Sequence, residues 1–340
     1  MHRGVERFSY NLANHLVKNY DIKIILYSWD ISNKVEWGEW DEKIKHRLVP
    51  YVRFYQKIIA KFFYYLWSKV DKPDGYIINF LYHGESILSD SKKIFYVLHA
   101  PASLISNRYL YINHRAKSFK QLSFIAVSKF VKDESKSYIN QNNIKVIHNG
   151  IDISQFSNNR EYINKDKIKI LTISALEEWK GIQNVISLFS DNLIRQKFEY
   201  HIYGSGSFEN DLKHMVKKNN LDLSIQFYGT VNHIEKIFQD YDIYCQLSDG
   251  EAFGFSIFEA MATGLPVIVY DIPPFDILLP SHVVKKVKYR SQSILKECLL
   301  ELTDSKRRKI MGMAGSEYVR ENFSLEKMAS DYFDHINANS

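Results

Sequence analysis

Short apolar runs of strand length alternate with amphipathic stretches of helix length along most of this chain, and the alternation is interrupted once. Strand-like runs fall at 22–27, 75–80, 93–98, 124–127 and 145–148, with helix-like segments at 7–18 and 129–140. A polar stretch at 157–167 follows. The pattern then resumes as strand 169–173, helix 181–190, strand 199–203, helix 209–219, strand 224–228, helix 234–240, strand 243–247, helix 255–263 and strand 266–270, before closing helices at 305–321 and 325–336. Strands that alternate with helices build parallel sheets covered on both faces, because each crossover helix must lie against the sheet it spans. A chain of 340 residues also exceeds what one core usually serves. The expected fold class is therefore α/β, with two Rossmann-like, doubly wound domains facing each other across a cleft. Their bounds are 1–156 and 168–322, with a linker at 157–167 and a C-terminal helix at 323–340 that can return to the first domain. In such sheets ligands bind beyond the carboxyl ends of the strands.

Composition narrows the classes. The net charge is +6, but residues 1–156 carry +9 and residues 157–340 carry −3. A basic first half points to an anionic membrane or lipid-phosphate partner, or to a solvated basic surface with no partner. No nucleic-acid partner is expected. The two cysteines, Cys245 and Cys298, sit in apolar surroundings and match neither a zinc nor a CxxC spacing. No run approaches the roughly 18 apolar residues of a membrane span. The expected location is cytoplasmic, extending to peripheral attachment at the inner face of the cell membrane. Segment 51–72 supports such attachment, with eight aromatic residues and five Lys or Arg against one acid. Phe54, Ile58, Phe62 and Tyr65 recur at helical spacing, with Lys57 and Lys61 on another face, the pattern of an interfacial helix. The competing expectation is a helix packed on the first sheet.

The segment richest in chemistry is 251–267, Glu-Ala-Phe-Gly-Phe-Ser-Ile-Phe-Glu-Ala-Met-Ala-Thr-Gly-Leu-Pro-Val. A strand ends near Ser248, a Gly-containing loop follows, and a helix opens near Phe255. Free N–H groups at a helix N-terminus form an anion site. Glu251 and Glu259 flank it as acceptors for sugar or ribose hydroxyls. Taken singly, Ser256 and Glu259 also fit a capping box, and Glu251 fits a solvated loop.

The whole string resembles the E-x7-E signature of the family 4 glycosyltransferases (glycosyl transferases group 1), retaining enzymes of GT-B fold. Ile125-Ala-Val-Ser-Lys and Val146-Ile-His-Asn-Gly-Ile-Asp152 resemble the family's crossing between domains. Ile202-Tyr-Gly-Ser-Gly206 and Phe227-Tyr-Gly-Thr-Val231 resemble its nucleotide-side loops, Gly4-Val-Glu-Arg7 its N-terminal Gly-rich loop, and Leu98-His-Ala-Pro101 its His-bearing loop. The resemblance implies that Glu259 binds the ribose and Glu251 faces the donor sugar. Backbone N–H groups around Phe253, Gly254, Phe255 and Ser256 would hold the diphosphate and sugar, with Gly204, Gly229 and Gly4 in the donor-side loops. Lys180 would pair with the diphosphate, and His99 would contact the donor sugar. For Lys180 the bland alternative is a solvated lysine, and for His99 a structural histidine. The implied catalytic set is Glu251, His99 and Lys180, with no metal and no cofactor beyond a nucleotide-diphosphate sugar, such as a UDP-sugar, as co-substrate. The acceptor would be a glycan or a lipid-linked sugar in bacterial surface polysaccharide synthesis. Paired carboxylates also invite a glycosidase reading. The family commonly retains configuration by same-face attack, in which the departing phosphate takes the acceptor's proton.

Two decoys and two departures complete the picture. Asp240-Tyr-Asp242 fits a metal-binding D-x-D but precedes a strand, and Gly204-Ser-Gly206 lacks the third glycine of a dinucleotide fingerprint. The family usually carries Arg five residues before the diphosphate lysine, where this chain has Ala175. It also carries a strand ahead of its Gly-rich loop, for which no room precedes Gly4. Either the reading frame starts further upstream or the first sheet lacks a central strand, exposing two edges. These departures sustain an alternative, a non-catalytic glycosyltransferase-like binding subunit.

Overall fold

The computed structural model describes residues 3–28, 34–35, 38–48, 56–79, 93–101, 122–139, 144–156, 159–231 and 233–338. The chain divides into two compact units, Met1–Gly150 with Leu325–Ser340, and Ile151–Ser324. The first unit runs α1 (Arg3–Asn19), β1 (Ile25–Ser28), β2 (Lys34–Val35), β3 (Gly38–Glu39), β4 (Lys45–Leu48), α2 (Gln56–Asp71), β5 (Gly75–Ile78), β6 (Lys93–Leu98), β7 (Leu122–Ala126), α3 (Lys129–Lys136) and β8 (Ile144–Val146). The second contains β9 (Ile168–Ile173), α4 (Ile182–Leu188), α5 (Asn192–Lys197), β10 (Phe198–Tyr203), α6 (Glu209–Lys218), β11 (Ile225–Gly229), α7 (Ile234–Ile237), β12 (Ile243–Gln246), α8 (Phe255–Ala262), β13 (Val267–Tyr270), α9 (Phe275–Leu278), β14 (Lys285–Val287), α10 (Gln292–Glu301) and α11 (Ser305–Asn322). The last helix, α12 (Leu325–Ala338), belongs to the first unit.

In the first unit β5, β6, β7 and β8 form a parallel four-stranded sheet. Five of the six β6 residues are buried, as befits a strand covered on both faces. Strands β1 and β4 pair in parallel apart from that sheet, and among the described residues no ladder joins the two. Helix α1 buries Phe8, Leu12 and Leu16, which recur every fourth residue on one face. Helix α12 meets it through Phe8 against Tyr332 at 5.7 Å, and Phe333 stacks on Tyr20, just past the end of α1, at 4.4 Å. Because α1 opens at Arg3, Gly4 lies in a helical first turn and not in the Gly-rich loop expected from the sequence.

The second unit is one parallel sheet in the order β11-β10-β9-β12-β13-β14. In the unit's own strand sequence this is 3-2-1-4-5-6, the doubly wound order, whose direction of winding reverses between β9 and β12. All four residues of β12 and of β13 are buried, whereas edge strand β11 alternates. Separate apolar cores fill the two faces. The polar stretch expected as a linker is a strap on this unit. The Arg160 guanidinium donates to the carbonyls of Phe238, Tyr241 and Thr263, and the Tyr162 hydroxyl donates to the Gly264 carbonyl at 2.6 Å. Asp242 accepts from Lys165 Nζ and from the Lys169 N–H, which gives the D-x-D decoy a structural role.

Candidate functional site

The carboxyl ends of β9 and β12, at the point where the winding reverses, carry the site residues of the second unit. After β9 the chain turns through Glu178–Lys180 into α4 by way of Gly181, which has φ +71°. A Cβ there would stand 1.8 Å from the Leu247 carbonyl oxygen, so only glycine lets the turn lie this close to the end of β12. The Asp249 N–H donates to the Trp179 carbonyl at 2.7 Å and ties the two loops together. This apposition brings Lys180 to Glu251, with Nζ 2.5 Å from Oε1 and side chains only 12% and 11% exposed. Trp179 lies beneath the same ammonium, its ring centroid 4.1 Å from Nζ.

Three donors converge on Glu251 Oε1: Lys180 Nζ, Gln246 Nε2 at 2.9 Å and Ser248 Oγ at 3.0 Å. Oε2 has no hydrogen-bond partner among the described residues and remains available as an acceptor. The Gln246 amide is oriented from its other side. Its Oε1 accepts from Ser256 Oγ at 2.9 Å and from the Tyr244 hydroxyl at 2.7 Å. Burial holds the Tyr244 phenol well above its usual pKa, so it remains a donor. A buried polar network thus links the first turn of α8 to the carboxylate in the preceding loop.

Helix α8 starts at an N-cap glycine, Gly254, with φ +88° and no side-chain cap bond. The N-cap is Gly254 and Ser256 lies inside the helix with its hydroxyl donated to Gln246, so Ser256 does not hold the N-cap place that a capping box requires. The Ile257 N–H turns back to the Gly254 carbonyl at 3.0 Å, and the helix dipole favours negative charge at this end. Glu259 is only 1% exposed, on a helix buried at six of its eight positions. Phe253 is also buried, its ring stacked on Phe258 at 4.2 Å, so its backbone alone can serve a ligand.

The remaining expected residues divide into two groups. Gly204, φ +132°, is dictated by packing, since a Cβ would meet the Ser174 carbonyl oxygen at 1.8 Å. That contact pins the loop bearing Ala175, whose neighbours Ser174 and Leu176 donate N–H groups to Tyr203 and Ser205. Gly229, φ +70°, has open space where a Cβ would stand. His99 and Gly4 belong to the first unit. His99 follows β6 and packs edge-on against Phe8 at 4.8 Å, and burial pushes its pKa down to about 3. Sequence reasoning missed Gln246, Ser248 and Tyr244. The available signal was a glutamine closing an otherwise apolar strand.

Two family descriptions match consecutive stretches: "Glycosyltransferase Family 4" over residues 2–155 and "Glycosyl transferases group 1" over residues 152–317. An uncharacterized glycosyltransferase of Methanocaldococcus jannaschii is 26% identical over 264 residues, 71% of this chain and 67% of that protein. The O-antigen biosynthesis glycosyltransferase WclY of Escherichia coli is 26% identical over 168 residues, 44% of this chain and 47% of its own length. Alignments to other curated relatives cover as little as 21% and 29% of their lengths. Among solved structures, HepE of Anabaena in complex with UDP and glucose matches with a TM-score of 0.79 at 15% identity, covering 98% of this chain and 96% of that one. With both stretches matched in order and the doubly wound architecture shared, the chain belongs to the group 1, family 4 glycosyltransferases of GT-B fold.

Proposed function

We propose that this chain transfers a sugar from a nucleotide-diphosphate donor, UDP-linked in the first instance, to a glycan or lipid-linked acceptor with retention of anomeric configuration, in the synthesis of a bacterial surface polysaccharide. The observation that carries the proposal is the juxtaposition at the switch point: Lys180 paired with Glu251 at 2.5 Å, beside an uncapped helix N-terminus whose own helix holds the buried Glu259. As the glycosidic bond to the nucleotide breaks, negative charge develops on the β-phosphate. The N–H groups of the first turn of α8 and the Lys180 ammonium would stabilise that charge. Glu251 Oε2 would accept a hydroxyl of the donor sugar, and Glu259 would accept the ribose hydroxyls. Attack on the same face lets the departing phosphate take the acceptor's proton, so the scheme needs neither an enzymic base nor a metal. The UDP and glucose bound by HepE and the O-antigen role of WclY support the choice of donor and setting. The test is nucleotide release from UDP-sugars, with and without acceptor, in buffer and in EDTA. The proposal expects acceptor-stimulated release that survives EDTA. Binding without any turnover would favour the non-catalytic subunit.

The first unit supplies a second contact in this proposal, with an anionic membrane. Helix α2 leaves Phe62, Tyr65 and Val70 more than half exposed, an arrangement that favours an interfacial helix over one packed by that face on the sheet. Phe54 lies outside the described residues, as do the side chains of Lys57, Ile58 and Lys61. No described helix is long and apolar enough to cross a membrane.

A further inference from the structure

Two kinds of donor hold Glu251, and every group involved lies in the second unit. One donor is charged: the Lys180 ammonium, carried by a flexible stem on the turn Glu178–Lys180. The other two are neutral. Gln246 Nε2 reaches the same Oε1 at 2.9 Å, and Ser248 Oγ reaches it at 3.0 Å. A carboxylate oxygen only accepts, so the amide nitrogen must face Glu251 and the amide oxygen must face Ser256. Nε2 gives its second proton to Ser248 Oγ at 3.2 Å, which leaves the serine proton for Glu251. On the other side Oε1 accepts from Ser256 Oγ at 2.9 Å. The Tyr244 hydroxyl, 2.7 Å away, divides its proton between that oxygen and the Ile173 carbonyl. Every hydrogen-bonding position of this buried amide is therefore filled. Its anchors are rigid, since Tyr244 and Gln246 belong to β12, laddered to β9 and β13, and Ser256 belongs to α8. A flip of the amide would set oxygen against carboxylate and leave buried groups unpaired, so one orientation prevails.

We propose that Gln246 is a positioning residue: with Ser248 it holds the Glu251 carboxylate in place independently of Lys180. The ammonium can then pass to the diphosphate while Glu251 stays fixed, with Oε2 left to accept from the donor sugar. The proposal rests on the reading of Lys180 and Glu251 as donor contacts, and it deepens that reading by separating their two tasks. Held by the ammonium alone, the carboxylate would lose its partner whenever phosphate took Lys180, and it would follow the lysine or swing to water. Two neutral donors that do not move with the ligand prevent both, and they set the acceptor in place before the sugar arrives.

The test has two arms on the full chain, and the first needs no ligand. In protein labelled with 15N-glutamine, the Gln246 side-chain amide is the NMR signal lost in Gln246→Met. One of its protons should resonate well downfield of its partner, because a carboxylate binds it. That separation should persist in Lys180→Met and collapse in Glu251→Ala. Collapse in Lys180→Met would show that Glu251 follows the ammonium. Persistence in Glu251→Ala would show that the amide does not hold the carboxylate, and either result overturns the proposal. The second arm uses UDP and UDP-glucose, with circular dichroism on each variant. Gln246→Met keeps the side chain's length. It should lower kcat for nucleotide release from UDP-glucose by about tenfold and move the Kd for UDP by less than about threefold. Ser248→Ala removes the other neutral donor with a smaller change of volume and should give the same pattern more weakly, which keeps the test open should Gln246→Met fail to fold. Adding Gln246→Met to Glu251→Ala should leave the Kd for UDP-glucose as in Glu251→Ala alone, because the group being positioned is gone. Equal losses in kcat and UDP affinity, or a further loss in the double variant, would refute positioning. A wild type that neither binds nor turns over UDP-glucose would count against the transfer reading, while the first arm still decides the role of Gln246.

Discussion

Replacing Glu251 with Gln should move nucleotide affinity and turnover in opposite directions. The change keeps the side chain's shape and an oxygen to accept from Gln246 and Ser248, and it removes only the charge facing Lys180. Two unit charges about 4 Å apart attract by about 4 kcal/mol at an effective dielectric of about 20. Desolvation of both groups offsets much of that, and a charged hydrogen bond contributes about 1.5–3 kcal/mol net. In the unliganded wild type this attraction holds Lys180 on Glu251, with both side chains nearly enclosed. An arriving diphosphate must share or displace that partner. In Glu251→Gln the ammonium is free, so UDP should bind about 1–2 kcal/mol more tightly, roughly a five- to thirtyfold lower Kd. Turnover of the sugar nucleotide should fall on the order of a hundredfold, because a contact to the sugar in the transition state is weakened. Trp179 lies under Lys180 and is 45% exposed, so its fluorescence reports the titration, with calorimetry as a check. The gain should shrink with added salt. An unchanged or weaker UDP affinity in Glu251→Gln would refute the idea that Lys180 is transferred from carboxylate to phosphate.

Other outcomes follow from the same structure. Gln246→Leu removes an amide that is 2% exposed and takes the acceptor from the Ser256 hydroxyl, while the Tyr244 hydroxyl keeps the Ile173 carbonyl, so it should cost about 2 kcal/mol in urea unfolding followed by circular dichroism. Asp71 is enclosed against Arg47 and Lys45, and Arg47 first and Lys45 after it hold its carboxyl well below the usual range. A carboxylate with a depressed folded pKa stabilises above its unfolded value of about 4 and loses that contribution as pH falls further. Asp71→Asn should therefore cost about 2 kcal/mol at pH 7, and the gap in melting temperature from the wild type should close as pH drops below about 4. The exposed face of α2 should carry the protein down with anionic liposomes at low salt, and Phe62→Ser with Tyr65→Ser should leave it in the supernatant.

The second unit's strands were legible because their apolar runs are four to six residues long and punctuated by glycine and proline. Most observed bounds lie within a residue or two of those read from the pattern. Strand β14 was not legible. It has three residues, two of them lysines, and its pairing with β13 is a tertiary fact. The strap at 159–167 reads as a linker because its sequence is polar. Its arginine and tyrosine satisfy carbonyls far away in sequence, which no local pattern announces. Gly4 shows the opposite failure, since the resemblance of Gly4-Val-Glu-Arg7 to a Gly-rich loop suggests a loop while the helix starts earlier. In the candidate site, Glu251 and Glu259 were read from one long motif and its spacing, and Lys180 from what the family resemblance implies after the unit's first strand. The amide relay through Gln246 was not, because its meaning depends on which side chains β9, β12 and α8 bring around it.

The central claim is that the second unit holds a nucleotide diphosphate between Lys180 and the start of α8, with Glu259 on the ribose. Calorimetric titration of UDP into the wild type and Glu259→Gln, with circular dichroism on both proteins, tests it most directly. Loss of a charge-assisted acceptor for the ribose hydroxyls should raise the Kd by about tenfold or more, with the fold unchanged. Equal affinity in two equally folded proteins would contradict the account, because Glu259 would then be a buried structural residue of α8 and the ligand would lie elsewhere.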